Sequence, residues 1–477
     1  MKILLINPPR VDGYPVVREE RFEHKDFEMI QPPLNLLYCA SNLLKHGFKV
    51  SFLDANGFNL NLNDVENKIK KEKPNIVVIR TGFDTFTTDI EVLKVAKKYK
   101  CITICRNKII SDVPWLRQEL LSKVRSEVDI FVNDELDTNI SRICQDILSK
   151  KDWSKIDSIS FWKKDKLITT KKAPIFTDLD SLPFPAYHLL PSLKPYQTSF
   201  FPPIFTQVMS SRGCPNHCTF CAYAGMPYRV RSPENVIAEL EWLKKEFGLK
   251  SFVFFDDTIS VDMVRVKKLL NLMLDKKLNL HFGVCTRVNT VDQEMLNLFA
   301  KAGCKEISFG IETGNQKILD TIKKNITLEQ IESAVKLSKK AGIKVIAPII
   351  FGLPGETRKT IENTIKFVEK LNPYYCQYAT LVPFPNTEAY RYFDKNKLIL
   401  TKDWTKYNPL QVRPVMRTKA LSSEEIMKLK KKAYLKFLLR PQFILSKLKA
   451  DPIWLIKGFS MFTHRIIGLI GNDEYVR

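Results

Sequence analysis

Three cysteines, Cys214, Cys218 and Cys221, fall within eight positions in "RGCPNHCTFCAYAG", residues 212 to 225. Thiolates spaced this closely can wrap one side of a 4Fe-4S cubane, because short loops let each sulfur reach its own iron. The fourth iron is then left without a protein ligand. Such an open iron can take a substrate or cofactor, as the open position of a catalytic zinc site does. Zinc itself would need a fourth ligand such as His217, which a tight loop between Pro215 and Cys218 places poorly. A chance group of structural thiols is the other reading. An iron-sulfur electron carrier usually supplies four thiolates, and this motif offers three. Phe220, between the second and third cysteines, would shield a cluster from water.

The elements that must position these thiols can be read from hydrophobic period. Over residues 1–150 short apolar runs ("KILLIN", "KVSFLD", "NIVVIRTG", "CITIC", "VDIFV") alternate with amphipathic stretches such as "IEVLKVAKKY". That alternation implies a parallel sheet, here a five-stranded doubly wound, flavodoxin-like domain. Residues 151–203 hold a hairpin and a proline-spaced connector, the expected boundary. From 204 to 400 the rhythm resumes with "IFTQVMSS", "SFVFFDD", "LHFGVCTR", "EISFGIET", "IKVIAPIIFG" and "CQYATLVPF". Six parallel strands with outer helices predict a partial (β/α)6 barrel, in which chemistry sits at the carboxyl ends of strands. Cys214 lies just past the first of them. Residues 401–477 read as a helical, basic carboxyl-terminal region.

The chain has 477 residues, 27% charged and 44% hydrophobic, which excludes disordered and collagen-like classes. Neither a signal segment nor an apolar run long enough to span a membrane is evident. Ten cysteines without secretion signals predict a reducing cytoplasm. The net charge of +23 would suit nucleic acid or an anionic membrane, but lysines are spread over nearly every helix, as solvated faces require.

The motif CxxxCxxC with an aromatic before the last cysteine resembles the signature of the radical S-adenosylmethionine (SAM) superfamily. The flanking text "DLDSLPFPAYHLLP", "RVRSPENVIAEL", "FFDDTIS", "TRVNTVDQEML", "AGCKEISFGIETGNQKIL" and "GLPGETRKTIENT" is similar to its cobalamin-dependent branch. The resemblance covers nearly the whole chain and is most specific over 205–400. It implies a 4Fe-4S cluster on Cys214, Cys218 and Cys221, with SAM chelating the open iron. Reductive cleavage of SAM would then yield a radical able to abstract hydrogen from unactivated carbon.

The resemblance also gives roles to other strand ends. Asp256 and Asp257 would accept hydrogen bonds from the methionine ammonium, the alternative being helix N-caps. Arg287 and Asn289 would meet the SAM carboxylate or the substrate, the alternative being a solvated loop. Glu312 would contact SAM, with Gly310 allowing close approach, or else be a buried structural acid. Gly352 and Gly355 would turn the backbone near adenine, and Glu356 would serve either cofactor or helix. "PFPNT" carries Asn386 where glycine is common, a residue that tolerates a left-handed backbone.

The amino-terminal domain departs further. Asp54 closes its second strand as the resemblance requires. However, Arg106 to Lys108 replace the expected glycine pair, and "NDELD" stands for a glycine-rich loop. Those side chains would crowd a corrinoid's nucleotide tail, so cobalamin binding and a decayed site both stay open. No DxHxxG is present to supply an axial histidine. Cys101 and Cys105, four apart on one strand, would lie about 13 Å apart. Cys39, Cys144, Cys285, Cys304 and Cys376 read as core residues.

The functional expectation is a radical SAM enzyme acting on a hydrophobic, lipid or isoprenoid, substrate and leading to methylation. Without cobalamin the outcome would be carbon-carbon bond or ring formation, as in tetraether-lipid ring synthases. A nucleic-acid-modifying protein, suggested by charge alone, and an electron-transfer protein are the competing classes. The implied reductant is a flavodoxin or ferredoxin. The basic, apolar tail "FLLRPQFILSKLKADPIWLIKGFSMFTHRIIGLIG" suggests peripheral contact with the inner face of a membrane, or else a helical cap on the barrel.

Overall fold

The computed structural model describes residues 1–19, 22–25, 30–198, 201, 204–410, 413–441 and 443–444. The chain divides into two compact units, Met1–Cys214 with Met226–Phe282, and Pro215–Gly225 with Gly283 onward.

The first unit opens with five parallel strands, β1 (Lys2–Asn7), β2 (Lys49–Asp54), β3 (Ile76–Arg80), β4 (Ile102–Arg106) and β5 (Ile130–Val132). They lie in the order β2-β1-β3-β4-β5, the flavodoxin-like doubly wound arrangement. β1 and β3 are continuous apolar runs because both faces are covered; Ile3 to Ile6 and Ile76 to Ile79 are fully buried. The hairpin foreseen in the connector, β6 (Ile159–Lys163) and β7 (Lys166–Thr169), extends this sheet antiparallel at the β5 edge. The sheet therefore has seven strands rather than five.

Next come β8 (Phe205–Val208) and β9 (Ser251–Phe254), paired parallel from Phe205 opposite Ser251 to Val208 opposite Phe254. The helix between them, Pro233–Phe247, starts on Ser232, whose hydroxyl accepts the Asn235 N–H, and stops at Gly248 in the left-handed region. β10 (His281–Thr286) begins in the first unit and ends in the second. It is followed by β11 (Cys304–Phe309), β12 (Lys344–Phe351) and β13 (Tyr375–Thr380). β8 to β13 follow one another in a six-stranded sheet, the partial barrel expected of the alternation.

Burial within the second unit alternates strictly along β12 and β13. On β12 Val345, Ala347, Ile349 and Phe351 are buried, while Ile346, Pro348 and Ile350 are partly exposed. Cys376, Tyr378 and Thr380 of β13 are buried, and Tyr375, Gln377 and Ala379 are partly exposed. One face of each strand is therefore buried and the other partly exposed.

The last long helix, Ser423–Leu438, lies along β13. The Tyr434 hydroxyl donates to the Tyr378 carbonyl and accepts from its N–H, each at 3.2 Å. Its charges are partly matched, with Lys432 at 3.3 Å from Glu362 and Lys436 at 3.0 Å from Glu369. The apolar, basic tail anticipated as a membrane-surface element lies outside the described residues from 445 onward. Among the described residues no helix is long and apolar enough to cross a membrane.

Candidate active site

In the first unit, the approach to Cys214 is built from two aspartates at the end of β9. Asp256 is fully buried, and its carboxylate accepts the Ser210 N–H at 2.7 Å, the Ser210 hydroxyl at 2.5 Å and the Ser211 hydroxyl at 2.6 Å. A buried carboxylate must be satisfied in this way or lose its charge. Asp257 accepts the Gly213 N–H at 3.0 Å. Thr258 donates to the Asp257 carbonyl at 2.7 Å, and its hydroxyl lies 3.8 Å from the Cys214 sulfur. Gly213 has φ of +85°, and a Cβ there would stand 2.1 Å from the Pro227 carbonyl oxygen. No side chain fits at that crossing. The helix that follows is capped by Asp262, which accepts the Arg265 N–H at 3.0 Å, so the N-cap alternative for the two aspartates does not apply.

In the second unit, Cys218 is 7% exposed, with the Arg287 guanidinium 3.9 Å from its sulfur. The Cys221 sulfur accepts the Tyr223 N–H at 3.4 Å. Backbone bonds fix the loop: Thr219 donates to Ile322 at 3.0 Å, Ala389 to Thr219 at 2.8 Å and Gly225 to Asn216 at 2.8 Å. The Asn386 amide donates to the Ala222 carbonyl at 3.0 Å. Asn386 is absent from the residues with positive φ, so asparagine serves here through its side chain and not through a left-handed turn. Phe220 is partly exposed, its ring centre 6.0 Å from the Lys324 ammonium. His217 is exposed.

Arg287, 6% exposed, is no solvated loop residue; it donates to the Lys324 carbonyl and, at 3.3 Å, to the Asn289 side chain. Glu312 has φ of +65°, a rare conformation outside glycine, held by its N–H on the Pro348 carbonyl at 3.0 Å and its carbonyl under the Ile350 N–H at 2.8 Å. Its carboxylate meets Lys324. Gly352 has φ of +90°, and a Cβ there would collide with Met416 at 2.0 Å. Gly355 has φ of +86°. Between them one Glu356 oxygen accepts the Gly352 and Leu353 N–H groups at 2.6 and 3.0 Å, while the other oxygen is buried without a partner. Burial pushes the Glu356 carboxyl up to about 8. The next helix is capped by Thr357, so Glu356 ties the turn rather than the helix.

All ten cysteines are free thiols. Six of the seven outside the motif are buried, whereas Cys285, expected in the core, is partly exposed on β10. Among the described residues no group of three His, Cys, Asp or Glu side chains could hold a single metal ion. A cubane asks for something different, one thiolate for each of several irons. Free thiols that receive an N–H or face a guanidinium or hydroxyl suit that demand, because each such donor stabilises sulfur carrying negative charge. The donor set fits the cluster. Sequence reading missed Lys324, Ser210 and Ser211, and the arginines that flank the cysteine loop, because the groups they bond are distant in sequence.

At the carboxyl edge of the first sheet, buried Asp54 accepts the Asn7 amide at 2.7 Å, the Tyr196 hydroxyl at 2.6 Å and the Gly57 N–H at 2.8 Å. Its burial raises the carboxyl pKa, and these bonds oppose the rise. At the end of β4, Arg106 donates to the Ser111 hydroxyl at 2.9 Å, and just past it Asn107 donates to the Thr81 carbonyl at 3.0 Å, both inside the fold. These side chains fill space beside β4 where a bare backbone was the family expectation.

The model of the radical SAM superfamily matches residues 208–368. An uncharacterized methyltransferase of Pyrococcus horikoshii is 32% identical over 462 residues, 96% of each chain. The anaerobic magnesium-protoporphyrin IX monomethyl ester cyclase of Rubrivivax gelatinosus is 27% identical, over 87% of this chain and 75% of its own. Among solved structures, the cobalamin-dependent S-adenosylmethionine radical enzyme OxsB superposes with a TM-score of 0.74 at 17% identity, over 98% of this chain and 72% of its own. The three-thiol loop, the barrel that carries it and a full-length relative together show that the chain belongs to the radical SAM superfamily of enzymes.

Proposed function

We propose that this enzyme cleaves SAM reductively at a 4Fe-4S cluster held by Cys214, Cys218 and Cys221, and abstracts hydrogen from an unactivated carbon of a hydrophobic substrate, leading to methylation. When bound, the cluster supplies one electron to SAM, and the 5'-deoxyadenosyl radical so released takes a hydrogen atom from carbon. The chain's own residues bind and orient. Asp257 and Thr258 hold the loop at Cys214; Arg287 places positive charge beside Cys218; the turn through Gly352 and Gly355 offers backbone close to the strand ends.

The observation that carries the hydrophobic reading is the open face of β11 to β13. Cross-strand pairs there are Ser308 with Ile346, Ile346 with Tyr375, Pro348 with Gln377 and Ile350 with Ala379. No formal charge stands on that face of β12 and β13 above Lys344, which pairs with Glu306 near the amino ends. A charged substrate would be left unpaired there at a high desolvation cost. Methylation is supported by the methyltransferase name of the Pyrococcus relative, and a corrinoid by the OxsB match and the flavodoxin-like sheet order.

A second reading, ring or carbon-carbon bond formation without a corrinoid, is favoured by the packed segment after β4 and by the cyclase among the relatives. One experiment separates them. The anaerobically reconstituted enzyme is incubated with dithionite, SAM deuterated at its methyl group and a lipid extract of the source cells. Methylation gives 5'-deoxyadenosine and a product carrying deuterium; ring closure gives 5'-deoxyadenosine and a product lighter by hydrogen alone. Absence of 5'-deoxyadenosine from cluster-replete enzyme overturns both.

A further inference from the structure

The cysteine loop leaves and re-enters the first unit through a two-residue antiparallel stem, Ser211–Arg212 with Arg229–Val230, in which Arg212 stands directly opposite Arg229. Like charges facing each other across strands destabilise a pairing. Here both are buried, with side chains 9% and 6% exposed. Two carboxylates resolve the conflict. Glu135 accepts Arg212 at 3.0 Å through one oxygen, and Arg229 at 3.0 Å through the same oxygen and at 2.5 Å through the other. Asp137 accepts Arg212 at 3.1 Å through one oxygen and bonds it again through the other. Arg229 also donates to the Phe176 carbonyl at 2.9 Å. Both acids lie in "NDELD", the segment after β5 whose departure from the glycine-rich family pattern had no explanation in the sequence.

We infer that Glu135, assisted by Asp137, is a positioning residue for the cluster, acting through the stem of the cysteine loop. Cys214 is two residues beyond Arg212. Three thiolates must be brought together with no fourth to help, so any freedom left in the loop raises the entropic cost of holding iron. A carboxylate that binds both arginines of one rung closes the loop at its base, and charge-assisted bonds with guanidinium make that closure directional. Two acids just past β5 thereby act on the cluster ligands through the stem of the loop.

This inference rests on the cluster reading above, and the test keeps the two apart. Full-length wild type, E135A and the charge-matched E135Q/R229Q double variant are compared as apoprotein and after anaerobic reconstitution. In the apoproteins, hydrogen exchange over 213–228 is expected to speed up at least about tenfold in both variants, with exchange in β1 and β3 unchanged, because local opening follows the loss of local contacts. After reconstitution, iron release to a chelator is expected to accelerate about tenfold, with a broadened paramagnetic resonance spectrum of the reduced cluster, as looser ligands would give. If E135A fails to fold, the double variant decides, since it removes one charge of each sign. A double variant with wild-type loop exchange, iron retention and spectrum overturns the inference while leaving the cluster reading intact. A wild type that takes up no iron overturns both.

Discussion

The Lys324 ammonium lies 2.6 Å from a Glu312 carboxylate oxygen, and each side chain is 8% exposed. The pair stands over Gly310, where a Cβ would meet both charged ends at 2.6 Å. Glu312 follows β11 and Lys324 follows the short helix beyond it, while the Lys324 carbonyl receives Arg287, which in turn faces Cys218. One ion pair thus connects a strand end to the guanidinium beside Cys218.

Removing one partner strands a buried charge. K324M should cost about 3–5 kcal/mol of stability, whereas K324M/E312L, which removes both charges, should cost distinctly less. Urea denaturation of the two variants with each single change completes the cycle. Additive losses would show that the pair is not coupled.

Each of C214A, C218A and C221A should lose the reconstituted cluster and reduce 5'-deoxyadenosine formation to background, because a cubane bound by two thiolates lacks a third anchor. C285A should retain wild-type iron, although its thiol is also partly exposed. Iron analysis and product chromatography on the same samples check both expectations.

The buried Glu356 carboxyl gives a pH dependence with a definite sign. Its value rises from 4.5 to about 8 in the fold because burial disfavours the charge. The folded state therefore holds the proton more tightly than the unfolded one. Its contribution to stability is complete below pH 4.5 and is lost as pH rises towards about 8, at a limiting slope of about 1.4 kcal/mol per pH unit. E356Q keeps the acceptor for Gly352 and Leu353 and cannot ionise. Its stability should be flatter over that range than that of wild type, measured by denaturant unfolding at pH 5, 6, 7 and 8, values spanning the window. Parallel profiles would refute the assignment.

Much of this architecture was legible because period and composition act locally. The apolar runs "KILLIN" and "NIVVIRTG" read as strands buried on both faces, and β1 and β3 are such strands. The three thiols announced themselves by spacing. The hairpin was visible, but its place was not: turn signals mark where β6 and β7 reverse, and only the free edge of β5 decides where they dock. Asp256 was recognised as important from its position after a strand, yet its partners Ser210 and Ser211 lie 46 and 45 residues away in sequence. Glu135 read as an obstruction in a glycine-rich loop, since nothing local announces that Arg212 and Arg229 will face each other across a stem. Lysine-rich helices likewise hid Lys324, one more basic residue until the fold buried it beside Glu312.

Gln377 offers a last test, of substrate class. It lies on the open face of β13, opposite Pro348, and its amide has no hydrogen-bond partner among the described residues. Ile350 and Ala379 lie nearer the carboxyl ends and Ile346 with Tyr375 nearer the amino ends, so this amide places a hydrogen-bonding group midway along a largely apolar face of β12 and β13. A neutral hydroxyl or carbonyl suits it; a phosphate or carboxylate does not, because an amide cannot neutralise a desolvated charge. Q377L should therefore raise KM for the substrate identified by deuterium labelling about 2- to 10-fold, the loss expected for one neutral hydrogen bond. Cleavage of SAM without substrate should be unchanged, since the residue is assigned no contact with SAM. A Q377L enzyme with unaltered KM, or a preference of the wild type for an anionic substrate over its neutral alcohol, would show that this face does not select the substrate.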